Sequence, residues 1–424
     1  MSRIIKLNHI TKIEGHASLN LSIKDGKVKV CELQATEGSR YFEGLLKGND
    51  YYEASELSSR ICGICSCAHT VTSIQAMENA LGIKPSKQTV LLRELLTIGE
   101  RIRSHATHLY FLALPDYVGY ESALAMADKY KKEILRALRI IKLGNSIVKV
   151  VGGRDLHPVS LTVGGFLKIP LEEQLAGLKK ELSLVKDDAA QTGRLFAKLK
   201  YPNFINKTES SSLAQNSEFA TLYGDIKSES RAFMQKQYKK YFKEYHEEYA
   251  TSNFVVKEGK SYRVGALARL NNNHKLLSSN AKKIISSSRI SFPNYNPFIN
   301  NFAQAVEVVH FVDRAVQIIN SLNLKKEPIK KARLRPCHGV AAIEVPRGTL
   351  FHEYELDENG IITYANIITP TAQNLRNIQD DIRAFLPQIM NLPEKKLILE
   401  IEKLIRAYDP CFSCSTHFLK VNFV

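Results

Sequence analysis

The chain has 424 residues, is 44% hydrophobic and carries 59 Lys and Arg against 43 Asp and Glu, a formal charge of +16. That length supports one large or two ordinary domains with a substantial buried core, and seven cysteines are too few for a disulfide scaffold, which fits a reducing compartment. The N-terminus lacks the layout of a secretory signal and no uncharged run approaches the roughly 18 apolar residues of a membrane span; with its basic residues spread along the chain, a cytoplasmic enzyme with a solvated surface is expected, with no nucleic acid bound and no membrane span of its own.

Residues 3–36 read as strands: Ala17, Leu19 and Leu21 alternate toward an Asp25-Gly26 turn, and Val28 and Val30 follow it in a hairpin pattern. Glu14, beside Gly15 ahead of that hairpin, is a carboxylate that on its own usually faces solvent. A first cysteine motif, Arg60-Ile-Cys62-Gly-Ile-Cys65-Ser-Cys67-Ala-His69, then precedes Val71, Ile74, Met77 and Leu81, whose helical spacing runs to a candidate C-cap at Gly82. The cysteines thus sit at a helix N-terminus, where the dipole favours thiolate. Ser86 caps a long helix carrying His105 and His108 and ending at Leu114-Pro115-Asp116; both histidines read as pocket lining at most.

Further helices are predicted at about 121–148, 171–199 and 297–322, with a glycine-rich loop between 152 and 165. From 203 to 290 the chain is rich in Ser, Asn, Lys and Tyr and reads as a more variable surface segment. Its run Gln235–Tyr249 fits a solvated amphipathic helix with tyrosines turned inward better than a nucleic-acid stripe. Strand character returns over 340–370, with a hairpin signal at Glu358-Asn359-Gly360. Helices open at Pro370-Thr371 and at Pro393, and the last delivers a second motif, Asp409-Pro410-Cys411-Phe-Ser-Cys414-Ser-Thr-His417. The fold expected is α+β and mainly α: a long-helix bundle with small antiparallel sheets at the N-terminus and near 340–368. With no internal repeat, and a metal site between the two ends of the chain, residues 1–424 are expected to form a single domain.

A zinc ribbon puts its two pairs roughly 15–20 residues apart; here hundreds of residues separate them, so a metal would tie the first quarter of the fold to its last turn. Four thiolates without a histidine ligand suit a soft metal, with zinc, iron and nickel all admissible.

The two motifs, together with Ile13-Glu14-Gly15-His16, residues 105–119, 153–165 and 344–348, and Ile367 to Thr371, resemble the large, catalytic subunit of nickel-iron hydrogenases over nearly the whole chain. The resemblance implies nickel held by Cys62, Cys65, Cys411 and Cys414, with Cys65 and Cys414 shared with an iron that carries carbon monoxide and cyanide ligands. It implies that the Cys411 sulfur takes the first proton and passes it to Glu14. Arg347 would lie above the open metal position as an electrostatic element, since arginine is effectively always protonated, with Asp116 as a partner carboxylate. Pro370 and Thr371 match the segment that hydrogen-bonds a cyanide, and His69 matches a histidine near a bridging cysteine. Glu43, the Ile367 carbonyl and His417 match a buried magnesium site. Cys67 and Cys337 have no ligand role in the pattern and read as small buried hydrophobes.

The length, the first motif and the short tail look most like the alpha subunit of cytosolic NADP-linked hydrogenases, or sulfhydrogenases. The chain has no further cysteine array and no nucleotide fingerprint. A partner small subunit with iron-sulfur clusters is therefore expected, with flavin and NAD(P) on further iron-sulfur subunits. Residues 418–424 follow the histidine at which mature relatives end, so a maturation protease is expected to remove them. The alternatives are the same core feeding a deazaflavin, a heterodisulfide reductase or ferredoxin, a subunit of the complex I type, which lacks the four cysteines, or a structural zinc protein.

Overall fold

The computed structural model describes residues 2–24, 27–38 and 41–416. Alternating apolar side chains build the first sheet, in which β1 (Ser2–Leu7), β2 (Ala17–Lys24) and β3 (Lys27–Ala35) pair antiparallel in that order. Leu19, Leu21 and Leu33 are buried on it. The predicted Asp25-Gly26 turn lies outside the described residues, and the strands pair on either side of it, Lys24 opposite Lys27.

Two short helices, α1 (Phe42–Leu46) and α2 (Ala54–Ser59), lead to α3 (Ser66–Leu81), which is buried along every residue but Asn79. The helix is central although it carries Ser66, His69, Thr70, Thr72, Ser73, Gln75 and Glu78 among its buried residues, and burying Ile74 and Met77 contributes about 1.5–3 kcal/mol each. Gly82 ends it in the left-handed conformation at φ 69°, as predicted. The Ser86 side chain accepts from Thr89 N at 3.0 Å and starts α4 (Lys87–Thr107), which continues as a π-helical turn over His108–Ala113 and as α5 (Leu114–Val118). The helix expected from 121 begins only at Lys131, as α6 (Lys131–Gly152), because Ser122 Oγ accepts from Ala125 N at 3.1 Å and turns the chain first.

The glycine-rich loop holds the short pair β4 (Leu161–Thr162) and β5 (Gly165–Phe166), and α7 (Glu172–Ala197) follows close to its predicted span. The amphipathic helix expected over 235–249 is not formed. Instead β6 (Ser212–Ala214), β7 (Asp225–Lys227) and β8 (Ala232–Phe233) make a small sheet, Gln235–Lys240 is a 3-10 turn, and β9 (Phe242–His246) pairs with β10 (Asn253–Lys257). Aromatic side chains favour the pleated surface, and Phe242 stacks on Tyr262 at 5.0 Å while Tyr238 turns inward and is buried.

Helices α8 (Ala266–Asn273) and α9 (Ser279–Ser286) precede α10 (Asn300–Ser321), which a 3-10 turn over Pro297–Ile299 introduces. A central sheet of β11 (Cys337–Val345), β12 (Gly348–Leu356) and β13 (Ile362–Ile368) then lies against α3. Gly339 makes that contact possible, since a Cβ there would meet Ala76 O at 2.2 Å. Helix α11 (Pro370–Ile389) packs on β3, α12 (Glu394–Ala407) packs on α11 in the same apolar cluster, and α13 (Phe412–Ser415) carries the last cysteine. The four motif cysteines belong to the apolar cluster built by α3, α4, α6, α7 and α10, while Phe412 between the second pair belongs to the cluster under the N-terminal sheet. The site therefore sits where these two clusters adjoin. No helix among the described residues is long and apolar enough to cross a membrane.

Candidate metal centre

Cys65 is the N-cap residue of α3 and Cys62 lies in the turn before it. From the other end of the chain, Cys411 forms an isolated bridge with Glu14 and Cys414 stands in α13. The sulfurs of Cys62 and Cys411 are 3.6 Å apart, those of Cys65 and Cys414 are 2.9 Å apart, and Cys411 and Cys414 are separated by 3.0 Å. All four sulfurs lie within 4.8 Å of one another and all four residues are buried. Four sulfurs bound tetrahedrally at about 2.3 Å to one ion lie about 3.8 Å apart, and this set is clustered on that scale, as a site for a soft cation requires.

The electrostatics agree. Cys62 is held well below the usual thiol range by hydrogen bonds with Cys411, Cys414 and Cys65, whereas burial pushes Cys411 and Cys414 well above it. Four thiolates cannot share so small a dry volume without a compensating cation.

A small cavity beside the sulfurs is lined by Cys65, Cys411 and Cys414, by apolar Val345, Pro346, Leu350 and Pro370, and by the polar residues His69, Arg347 and Thr371. Arg347 is buried. Burial works against its charge, but Asp409 and then Cys411, Cys65 and Cys62 outweigh that and hold it protonated. Its Nε donates to Asp409 O at 2.7 Å and a terminal nitrogen to Asp409 Oδ1 at 3.0 Å. The carboxylate paired with Arg347 is therefore Asp409, which corrects the expectation of Asp116. That residue instead pairs with Lys12 and, at 2.8 Å, with Arg406. Thr371 Oγ1 accepts from Cys411 N at 2.9 Å, which leaves the hydroxyl proton to donate elsewhere. Pro370 stands in the first turn of α11, where its missing N–H costs nothing.

Glu14 is half-buried rather than fully on the surface. Its carboxylate accepts from the Ser413 hydroxyl and, at 3.2 Å, from Ser413 N, while its backbone carbonyl accepts from Phe412 N at 3.0 Å. Glu43 Oε1 accepts from Ile367 N at 2.8 Å, so two of the residues expected at a magnesium site are neighbours. The third, His417, lies outside the described residues, as does the 418–424 tail. His69 Nδ1 is 3.1 Å from His352 Nε2. Of the other cysteines, Cys67 is buried and Cys337 half-buried.

Sequence reasoning missed several residues here. Asp409 stands inside the second motif and could have been found from its place beside Cys411. Glu100, fully buried and pushed up to about 7 by burial, accepts from Cys67 N at 2.7 Å and Ala68 N at 3.2 Å, thereby capping the cysteine-bearing end of α3. His105 and His108 are both buried: His105 Nε2 meets Glu307 at 2.8 Å, and His108 bridges Gln304 at 2.6 Å and Arg406 O at 2.7 Å. Arg269 carries no local sequence signal, yet it donates to Val345 O and Pro346 O at 2.9 and 3.0 Å and so fixes the segment that presents Arg347.

A sequence profile described as nickel-dependent hydrogenase matches residues 40–135 and 203–417. Sulfhydrogenase 1 subunit alpha of Pyrococcus furiosus is 37% identical over 423 residues, covering 98% of each chain. The NAD-reducing hydrogenase HoxS subunit beta of Cupriavidus necator is 27% identical, covering 99% of this chain and 96% of its own. Among solved structures, that of an NAD+-reducing [NiFe]-hydrogenase in the H2-reduced state superposes with a TM-score of 0.87 at 23% identity, covering 98% of this chain and 99% of the other, and so has the same fold.

Proposed function

The chain belongs to the nickel-dependent hydrogenase family and is the catalytic subunit of a nickel-iron hydrogenase, an oxidoreductase, and on that premise we propose that it cleaves and forms dihydrogen reversibly, passing electrons through an iron-sulfur small subunit to NAD(P). The observation that carries this reading is the convergence of four buried cysteine sulfurs within 4.8 Å. Likeness to an NAD-reducing relative supports the acceptor.

In this reading Cys62, Cys65, Cys411 and Cys414 would hold the nickel, with Cys65 and Cys414 the residues that would also serve an iron carrying carbon monoxide and cyanide. The two metals would supply the Lewis acidity that polarises dihydrogen. The protein residues handle charge and protons. The Cys411 sulfur would take up a proton first, and Glu14, anchored on Ser413, would receive it next. Arg347 and its partner Asp409 set the charge over the cavity, and Asp116 acts at a remove through its pair with Arg406. Pro370, Thr371 and His69 shape the diatomic and sulfur environment. Glu43, the Ile367 carbonyl and His417 would be the residues to hold a magnesium ion, a reading supported by the Glu43–Ile367 contact. The whole chain acts as one cytoplasmic unit, from which a maturation protease removes 418–424; an intact mass that retained this tail in the nickel-loaded protein would refute that step. Flavin and further iron-sulfur clusters reside in partner subunits.

The test is purification of the native complex under hydrogen. Hydrogen-dependent reduction of NADP+ or NAD+ by a complex containing a flavin subunit is expected; reduction of an artificial dye alone, with neither nucleotide reduced, would refute the acceptor. Glu14→Gln is expected to retain its metals and to slow hydrogen isotope exchange about 10²–10⁴-fold, and exchange at the parent rate would refute the relay.

A further inference from the structure

The chain turns toward Cys411 at Asp409, whose φ of 51° lies in the left-handed region. That conformation is uncommon for a residue other than glycine and persists where the surroundings hold it. Here a closed circuit of hydrogen bonds does so. Asp409 N donates to Arg406 O at 2.8 Å, and the same carbonyl lies 2.7 Å from His108 Nε2. His108 Nδ1 is 2.6 Å from Gln304 Oε1, and Gln304 Nε2 donates to Asp409 Oδ2 at 3.1 Å. All three residues are at most 2% exposed. His108 opens the π-helical turn after α4, a distortion frequent at functional sites.

The protons in the circuit can be counted. A backbone carbonyl only accepts, so His108 Nε2 carries a proton. The Asp409 carboxylate, paired with Arg347, also only accepts, so Gln304 turns its amide N–H to Asp409 and its oxygen to His108. His108 Nδ1 then donates as well, which gives the imidazole two N–H groups and a positive charge. A neutral His108 would need the amide reversed, and two oxygens would then face each other with no proton between them. The charged groups nearby are engaged elsewhere: Arg406 with Asp116 and Glu402, and His105, one turn earlier, with Glu307. That neighbouring pair shows why residue 304 is an amide. A glutamate there, as at 307, would serve His108 but set a second carboxylate against Asp409.

We propose that His108 and Gln304 are positioning residues for Asp409: a doubly protonated His108 and the Gln304 amide occupy its second carboxylate oxygen and hold its left-handed turn, which fixes Oδ1 and the backbone carbonyl for Arg347. This rests on reading the four cysteines as the nickel site. Through Asp409 the circuit sets where the Arg347 charge stands over the cavity, and a charge displaced from that place acts less on the reacting groups.

The first test is nitrogen NMR of the full metal-free chain labelled with ¹⁵N-histidine at neutral pH, with His108→Gln used to assign the ring. Both nitrogens of His108 are expected to be protonated. Gln304→Met removes the acceptor and is expected to leave one proton on the ring, whereas Gln304→Glu keeps the acceptor and is expected to leave both. In the nickel-loaded enzyme both Gln304 variants are expected to lose about 10–100-fold in hydrogen oxidation, since neither offers an amide N–H to Asp409. On an Arg347→Lys background that loss is expected to vanish, because the circuit acts through Arg347. A singly protonated His108 in the parent, parent-like activity of Gln304→Glu, or the full loss on the Arg347→Lys background would overturn the proposal. Zinc in place of nickel would instead refute the reading of the cysteines and leave the NMR result standing.

Discussion

Two buried arginines, Arg347 within the Val345–Arg347 segment and Arg269, which donates to that segment's carbonyls, show two uses of one group. Arg269 is saturated: its nitrogens reach Glu307 at 2.6 and 2.7 Å, Glu344 at 2.9 Å, and the carbonyls of Val345 and Pro346. Glu344 in turn accepts from Leu213 N and Thr349 Oγ1, and Arg101 donates to its backbone carbonyl. Arg347 has a single carboxylate partner, Asp409, and lines the cavity among the cysteine sulfurs. A buried guanidinium with all its donors engaged holds shape, and one held by a single carboxylate beside a cavity also projects field into it.

Removing the matched cation should have the larger effect. Arg269→Met strands two buried carboxylates, so the metal-free chain is expected to lose about 3–5 kcal/mol of stability, read as a lower denaturant midpoint; a midpoint within experimental error of the parent would show that the network does not carry the segment. Arg347→Lys keeps a charge but loses the fork that grips Asp409 O and Oδ1. Stability is expected to change little, while hydrogen oxidation falls about 10²–10³-fold. Equal loss of stability in the two variants would erase the distinction between them.

A smaller effect concerns acid. Burial alone would raise Glu307, but Arg269 and then His105 bring it down from its ordinary 4.5 to about 2. The folded state therefore binds fewer protons than the unfolded one between those values, and this contribution to stability, present above pH 4.5, is lost as pH falls through about 2. Glu307→Gln is expected to make the fall in stability across that window shallower than in the parent, and an unchanged slope would contradict it.

The same contrast explains what could be read in the sequence. The cysteine pairs, Glu14 and Arg347 lie in short local patterns, and α7, α10, α11 and α12 announce themselves by helical spacing and by Pro297, Pro370 and Pro393. The Arg269 network is assembled from residues 38 and 75 positions away in the chain, so no window contains it. Asp116 pairs with Lys12 and Arg406, which come from opposite ends of the chain, so no local window shows its partners. The strands between 203 and 257 are too short to show a period, and the lysines among their tyrosines imitate a helical face. What fixes them is packing, such as Phe242 against Tyr262.

The central claim is that four cysteines from the two ends of the chain hold nickel and iron together. Elemental analysis of the anaerobically purified native protein tests it most directly. One nickel and one iron per catalytic chain are predicted, beyond the iron accounted for by partner clusters, with both lost in Cys65→Ala; stoichiometric zinc with no nickel would contradict it.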